Sequence, residues 1–312
     1  MRKLTALIVL FITLPVWAAT GASHSRGHAF EVTVGGGYSS LGYKVTNITD
    51  NLASKTSGSY SLQAHLGYNW FFSEYVGLGV GVDMQHYGQQ AKLNGTLSWS
   101  GVTDTDGEKY DHTLDINNWA EKQNYWAVEI PVSIVFSIPV QDKLYITAQV
   151  GGKYGLPLSG KYAGSGTLTH IGWYAPWGLT LTDKPNHGFY TEKGFSPKGT
   201  LPKKNYWTVF AKVGVAIPLV EHLDLLVQGY FNYALTAVGQ SGRDDAIGFR
   251  NDRPGQEQAH YFMNNYTDLS NTAVINGSYK PWSAGLEIGV RYTIQTKKTN
   301  KYPCRCLNNY WM

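Results

Sequence analysis

An all-β fold, an antiparallel up-and-down transmembrane barrel of eight strands, is what this 312-residue sequence predicts. Three observations carry the expectation. Beyond the N-terminus, no apolar run approaches the ~20 residues that a membrane-spanning helix needs. Eight segments alternate apolar and polar side chains with period two, the pattern of strands with two different faces. The connections between them alternate strictly between short and long, which in a meander collects the tight turns at one end and the long loops at the other. Composition agrees. The chain has 35 Gly, 14% aromatic and only 15% charged residues, against a usual ~7% Gly and ~25% charged. A hydrophobic content of 43% argues against disorder, and a net charge of +4 is too slight to imply a nucleic-acid partner.

The first element is a leader. Arg2 and Lys3 precede an apolar run from Leu4 to Val16, and Val16-Trp17-Ala18 offers small residues at both ends of a cleavage triplet. This charged, apolar, small order predicts a secretory signal peptide over residues 1–18 and a mature chain from near Ala19. The barrel is assigned to residues 19–294 and a tail to 295–312. The only cysteines, Cys304 and Cys306, lie in that tail, so an exported chain of this size folds without an internal disulfide framework.

The strands follow at Phe30–Tyr38, Tyr60–Trp70, Val76–Tyr87, Tyr125–Phe136, Leu144–Tyr154, Tyr206–Ile217, Leu223–Tyr233 and Trp282–Ile294. Short connections are expected at Phe71–Tyr75, Ser137–Lys143 and Pro218–His222. Long loops are expected at Ser40–Ser59, Gly88–Asn124, Gly155–Asn205 and Ala234–Pro281. The fourth segment shows the two faces: Trp126, Val128, Ile130, Val132, Ile134 and Phe136 on one, and Tyr125, Ala127, Glu129, Pro131, Ser133 and Val135 on the other. The apolar faces carry aromatics at both ends, Tyr60 with Trp70, Trp126 with Phe136 and Trp282 with Tyr292. Ten residues of tilted strand climb roughly 24 Å, close to the ~25 Å apolar band of an outer-membrane barrel between its aromatic girdles. Trp207 and Tyr233 extend the same girdles. The apolar face therefore points outward, to lipid.

The opposite face lines the lumen. Its polar set is Glu31, His65, Asp83, Glu129, Lys153, Lys212, Glu287 and Arg291, together with Gln149 and Gln228. If Phe136 faces Ile146 across its turn, Glu129 lies opposite Lys153, and an inward ion pair is expected there. A second is expected between Glu31 and Arg291, at equal height on the closing strands. His65 is read as opposite Gly81, and His86 as outward near the rim. Gly35, Gly37, Gly77, Gly79 and Gly81 make room on the inward face of a narrow barrel.

The segment Tyr125-Trp126-Ala127-Val128-Glu129-Ile130-Pro131-Val132 resembles the Tyr-x-x-x-Glu-Ile-Pro strand motif of the porin-family outer-membrane β-barrel proteins, the small OmpA/OmpX-like barrels of Gram-negative bacteria. Gly151-Gly152-Lys153-Tyr154-Gly155 is similar to the Gly-rich strand that follows it there. The resemblance implies a small barrel in the cell outer membrane and no defined reaction. Its partners would be membrane lipid, lipopolysaccharide and the outer-membrane assembly machinery.

The loops hold what chemistry remains. Asp104-Thr105-Asp106-Gly107 hints at calcium but fails the loop template, whose first and twelfth positions fall on Val102 and Thr113. No metal or cofactor is called for. The Gly88–Asn124 loop carries three Lys against six acids, a net −3, and the Gly155–Asn205 loop six Lys against two acids, a net +4. Opposite signs predict that these loops pack on each other; charged lipopolysaccharide or a protein is the alternative occupant. Trp173, Tyr174, Trp177, Phe189 and Tyr190 are the loop candidates for binding an extracellular ligand. Thr167–Thr169 and Leu179–Thr182 either extend strands above the membrane or add a hairpin that makes ten strands. No Ser, His and acid converge by spacing. The leading reading is a non-enzymatic outer-membrane protein with a structural, adhesive or ligand-binding role through its loops. A small pore or solute channel comes second, and a lipid-modifying enzyme third.

Overall fold

The computed structural model describes residues 27–42, 52–104, 107–141, 144–196, 198–201, 203–240 and 278–295. The expectations for the leader, for Cys304 and Cys306 and for the tail beyond residue 295 lie outside the described residues. Eight long strands form: β1 (Gly27–Ser40), β2 (Leu52–Phe71), β3 (Val76–Thr103), β4 (Lys109–Gln141), β5 (Leu144–Tyr174), β6 (Tyr206–Val220), β7 (Leu223–Ala234) and β8 (Trp282–Gln295). Each pairs antiparallel with its chain neighbour or, for β8, with β1, so the sheet closes on itself. Closure leaves no strand edge in the wall, so every wall peptide group finds a partner without water.

The way the ring closes sets its dimensions. From Phe30 the pairings run through Tyr68, Val80, Val132, Gly152, Val209, Tyr233 and Trp282, and return to β1 at Ser40, ten residues further on. A stagger of ten over eight strands spaced ~4.8 Å apart gives a tilt of about 41° and a backbone radius of about 8 Å. That interior is filled by side chains.

All eight sequence-derived strands are present, and the tight turns gather at one end. Ser73 Oγ accepts the amides of Tyr75 and Val76 at 3.2 and 3.1 Å in the β2–β3 turn. Two of the four expected long loops are not loops. β3, β4 and β5 run on as paired strands far beyond the barrel, to the pairs Thr103 with Lys109 and Asp111 with Trp173. Alternation persists through Gly88–Asn124, but the polar substitutions there mask it. Above Gly155, Lys198–Thr200, Thr191–Phe195 and Leu179–Leu181 pair in turn with β5 and cover its edge. The ring therefore stays at eight strands, and the ten-strand alternative does not arise.

The β4–β5 register differs from the expected one. Phe136 pairs with Ala148, Glu129 with Gly155 and Lys153 with Pro131. The ladder continues down to Gln141 with Leu144, past an irregularity at Pro139, and this slides the pairing by two residues. An even slip preserves the faces. His65 likewise pairs with Asp83, and Gly81 with Gly67.

The faces are as expected. Val132 is 58% and Leu286 70% exposed on the outside, whereas Glu129 and Lys153 are fully buried within. Glycine supplies the space for large inward groups. A Cβ on Gly155 would run into the Tyr206 ring, whereas one on outward Gly152 would meet nothing closer than 3.8 Å. Gly155→Ala is therefore expected to destabilise the barrel by about 1–3 kcal/mol through overpacking. Gly152→Ala should be neutral within ~1 kcal/mol. Urea midpoints of the refolded variants measure the difference.

Candidate functional site

The lumen is the most highly organised chemical feature of the barrel. Alternation on each strand sends one side chain in two inward, and closure brings these sets face to face. All eight polar residues read from the sequence are buried there: Glu31, His65, Asp83, Glu129, Lys153, Lys212, Glu287 and Arg291.

They divide into separate groups. In the first, Lys153 Nζ lies 2.6 Å from Asp83 Oδ2 and 3.2 Å from Glu129 Oε2. His65 Nδ1 meets the other Asp83 oxygen. The hydroxyls of Tyr87 and Tyr206 both donate to Glu129 Oε1, at 2.9 and 2.7 Å. The expected Glu129–Lys153 pair thus forms diagonally across the ladder, despite the changed register. Lys153 Nζ also stands 4.9 Å from the centre of the Phe210 ring. In the second group, Lys212 Nζ lies 2.9 Å from Glu287 Oε1, while Thr33 and Gln63 donate to Glu287 Oε2 at 3.2 and 3.1 Å. The third group overturns an expectation. Glu31 and Arg291 are ladder partners, but they form no ion pair with each other. Arg291 is flanked on its other side by Asp224 and gives Oδ2 two hydrogen bonds, at 3.0 and 2.9 Å. Glu31 instead accepts from Gln149 Nε2 at 2.9 Å.

Neutral groups link these charges. Asn232 Nδ2 donates to Gln63 Oε1 at 2.9 Å and to Ser283 Oγ at 3.0 Å. Gln228 Nε2 donates to Thr147 at 2.9 Å. Asp224, Gln63, Asn232 and Tyr87 were missing from the sequence-derived set. Their parity matches that of Gln228, His65 and Asp83, so strict alternation would have found them. Which neighbours they meet across the lumen depends on the stagger.

Apolar clusters pack towards both ends of the polar interior. Ala29, Phe71 and Val135 pack together near the tight turns, as do Tyr145, Ala216 and Leu226. At the loop end, Leu41, Tyr87, Tyr125, Leu201, Tyr206, Val238 and Tyr279 form one buried cluster.

The outward candidates lie where alternation puts them. Tyr60, Trp70, Trp207, Tyr233 and Tyr292 are exposed, while Trp126, Phe136 and Trp282 are half-buried against neighbours. His86 is outward in parity yet covered, its ring 4.6 Å from that of Tyr60 and 4.7 Å from that of Trp126. Its Nε2 lies 3.2 Å from Asn124 Oδ1.

The extension above the barrel has a core of its own. Tyr174 and Phe189 are buried with Val102 and Tyr110, so these two loop candidates are used in packing, and Tyr190 lies 5.1 Å from the His170 ring. Trp173 and Trp177 remain exposed, Trp177 stacked on Tyr174. The oppositely charged segments do pack on each other, through a continuous β4–β5 ladder. Asp104 is tied into this core: its Oδ1 accepts the Glu108 amide and its Oδ2 the Tyr174 hydroxyl, both at 2.8 Å. Among the described residues, no His, Cys, Asp and Glu group has the form of a metal site.

An antiparallel barrel with an apolar exterior, a filled and ion-paired lumen and a folded extension is the class of protein these observations define. The sequence matches no family model and no curated protein. The fold is similar to solved outer-membrane and surface proteins. Outer membrane protein OprG from Pseudomonas aeruginosa is 10% identical, with 88% of this chain and 99% of that one covered, at a TM-score of 0.36. Neisserial surface protein A is 12% identical over 85% and 99% of the two chains, at 0.31. Ail, the attachment invasion locus protein of Yersinia pestis, is 9% identical over 86% and 99%, at 0.28.

Two predictions follow from this geometry. Lys153→Met leaves the Asp83 and Glu129 carboxylates buried without their cation, a loss of about 3–5 kcal/mol. Adding Asp83→Asn and Glu129→Gln should recover much of it; urea unfolding of all three proteins in lipid tests this. In the extension, burial pushes His112 down to about 3 and His170 to about 4. Unfolded histidine takes a proton near pH 6.5. Between those values the unfolded extension binds more protons, so its stability is full above pH 7 and falls as the pH drops towards 4. Burial raises Glu192 on the neighbouring strand, which acts in the opposite sense. Limited proteolysis across that range should show the extension loosening first, and His112→Gln with His170→Gln should flatten the dependence.

Proposed function

We propose that this protein is a non-enzymatic integral protein of a bacterial outer membrane, its lumen closed and its role carried by the extension above the barrel. The observation that carries this reading is the inversion of polarity. Val32, Leu66, Val80, Val132, Val150, Val213, Phe231 and Leu286, one on each strand, lie outside, while the ion pairs lie within. In water, so large a continuous apolar surface drives association; in lipid it is the favourable arrangement. A height of about 25 Å between Tyr60 and Trp70, from ten residues tilted by about 41°, fits a hydrocarbon core of that type.

The filled lumen argues against the pore reading. Lys153, Lys212 and Arg291 are each held by carboxylates, and apolar clusters pack towards both ends of the lumen. The enzyme reading finds little support: His65 and Asp83 are sealed inside, and His86 is sandwiched between rings. The extension is the part left to meet the outside. Its exposed Trp173 and Trp177 suit contact with a protein or a sugar, in a structural, adhesive or ligand-binding role.

Insertion and conductance test this directly. The protein refolded into bilayers is expected to migrate anomalously on gels until heated, and to leave planar bilayers at baseline conductance. A protein that stays soluble and fails to insert would overturn the membrane reading. A large, stable conductance would overturn the closed lumen and restore the pore.

A further inference from the structure

Four lysines occupy the outward face of four successive strands, just above the girdle: Lys55 on β2, Lys92 on β3, Lys122 on β4 and Lys161 on β5, all exposed. Lys55 and Lys92 are direct ladder partners. Lys92 pairs with Ala120, two residues from Lys122, and Lys122 pairs with Ala163, two residues from Lys161. In a barrel tilted by about 41°, each step to the next strand climbs ~3 Å, and a two-residue offset descends ~5 Å. The offsets therefore keep all four lysines within about 4 Å of one level, roughly 10–15 Å above Tyr60, His86 and Trp126.

Among the described residues, no acid of these four strands stands at their level on this face. The only Asp or Glu on β2, β3 and β5 is Asp83, which is buried in the lumen. On β4, Glu121 and Glu129 are buried, and the remaining acids, Asp111 and Asp115, lie higher. Asp115 is seven residues above Lys122 and accepts from Thr96 and Asn117. Like charges directly opposite on a ladder are unfavourable. A level row of them, set above aromatics and an apolar wall, matches an amphiphile with several anionic groups on its head and acyl chains below.

We propose that this lysine row seats the phosphates of a phosphorylated glycolipid, lipopolysaccharide in an outer membrane, whose acyl chains lie on the apolar wall beneath. The proposal rests on the membrane reading above. The level arrangement on the wall favours a lipid headgroup, which lies in one plane, over a soluble polyanion, which needs no common level.

The test uses the full chain refolded into nanodiscs of phosphatidylcholine, with either diphosphoryl lipid A or its dephosphorylated form. Native mass spectrometry counts the lipid A that remains bound after detergent release, and heat-modifiable mobility reports insertion separately. Wild type is expected to retain diphosphoryl lipid A at least tenfold better than the dephosphorylated form. The combined variant Lys55→Gln, Lys92→Gln, Lys122→Gln, Lys161→Gln should insert normally and lose that preference; the corresponding four Lys→Arg changes should keep it. Equal retention by wild type and the Gln variant would overturn the proposal. So would lysine-dependent binding of a soluble sulfated polysaccharide with no preference between the two lipids. Failure of wild type to insert would instead overturn the membrane reading on which it depends.

Discussion

Closure with a stagger of ten is the constraint on which the rest of this structure depends. It joins eight strands into a wall with no free edge and fixes a backbone radius of about 8 Å. Backbone polarity is then satisfied within the wall, and only side chains decide what each surface faces. The lumen is too narrow for bulk water, so every inward group must find its partner among other inward groups. Lys153 between Asp83 and Glu129, Lys212 on Glu287 and Arg291 on Asp224 are solutions to that one problem. Glycines such as Gly155 are the other half of it, since Tyr206 reaches Glu129 only where a neighbour lacks a Cβ.

The ion pairs are better understood as consequences of closure than as its cause. Separating charges from water is costly, and a paired buried charge often contributes little net stability. Their value here lies in arrangement. Each cation is engaged by at least one carboxylate, and apolar clusters around Phe71 and around Tyr125 pack towards the two ends. Side chains fill the interior, and the polar groups within it remain compatible with a wall whose outside is apolar.

Above the barrel the same strands do different work. β3, β4 and β5 leave the ring as a sheet that buries Tyr110, Tyr174 and Phe189, and short strands cover the β5 edge. Much aromatic content that seemed available for binding is consumed in folding this extension. The outward lysines at its base lie between two regimes, the apolar wall below and the water-facing sheet above. Charge there is exposed.

Much of this was legible in the linear sequence because alternation is a local property. A period of two assigns inside and outside residue by residue, so the eight strands, the outward aromatics and the buried set from Glu31 to Arg291 could be read without knowing the register. Conversely, Gly88–Asn124 and Gly155–Asn205 read as loops because their polar residues blur the pattern that the barrel segments keep. The partners could not be read locally. The β4–β5 slip of two residues, the choice of Asp224 over Glu31 by Arg291, the meeting of His65 with Asp83 and the common level of four lysines all depend on how strands stagger around a closed ring. The sequence alone determined which way each side chain points. Only the tertiary structure decided what it meets, because shear is a property of the whole circuit and is encoded in no single strand.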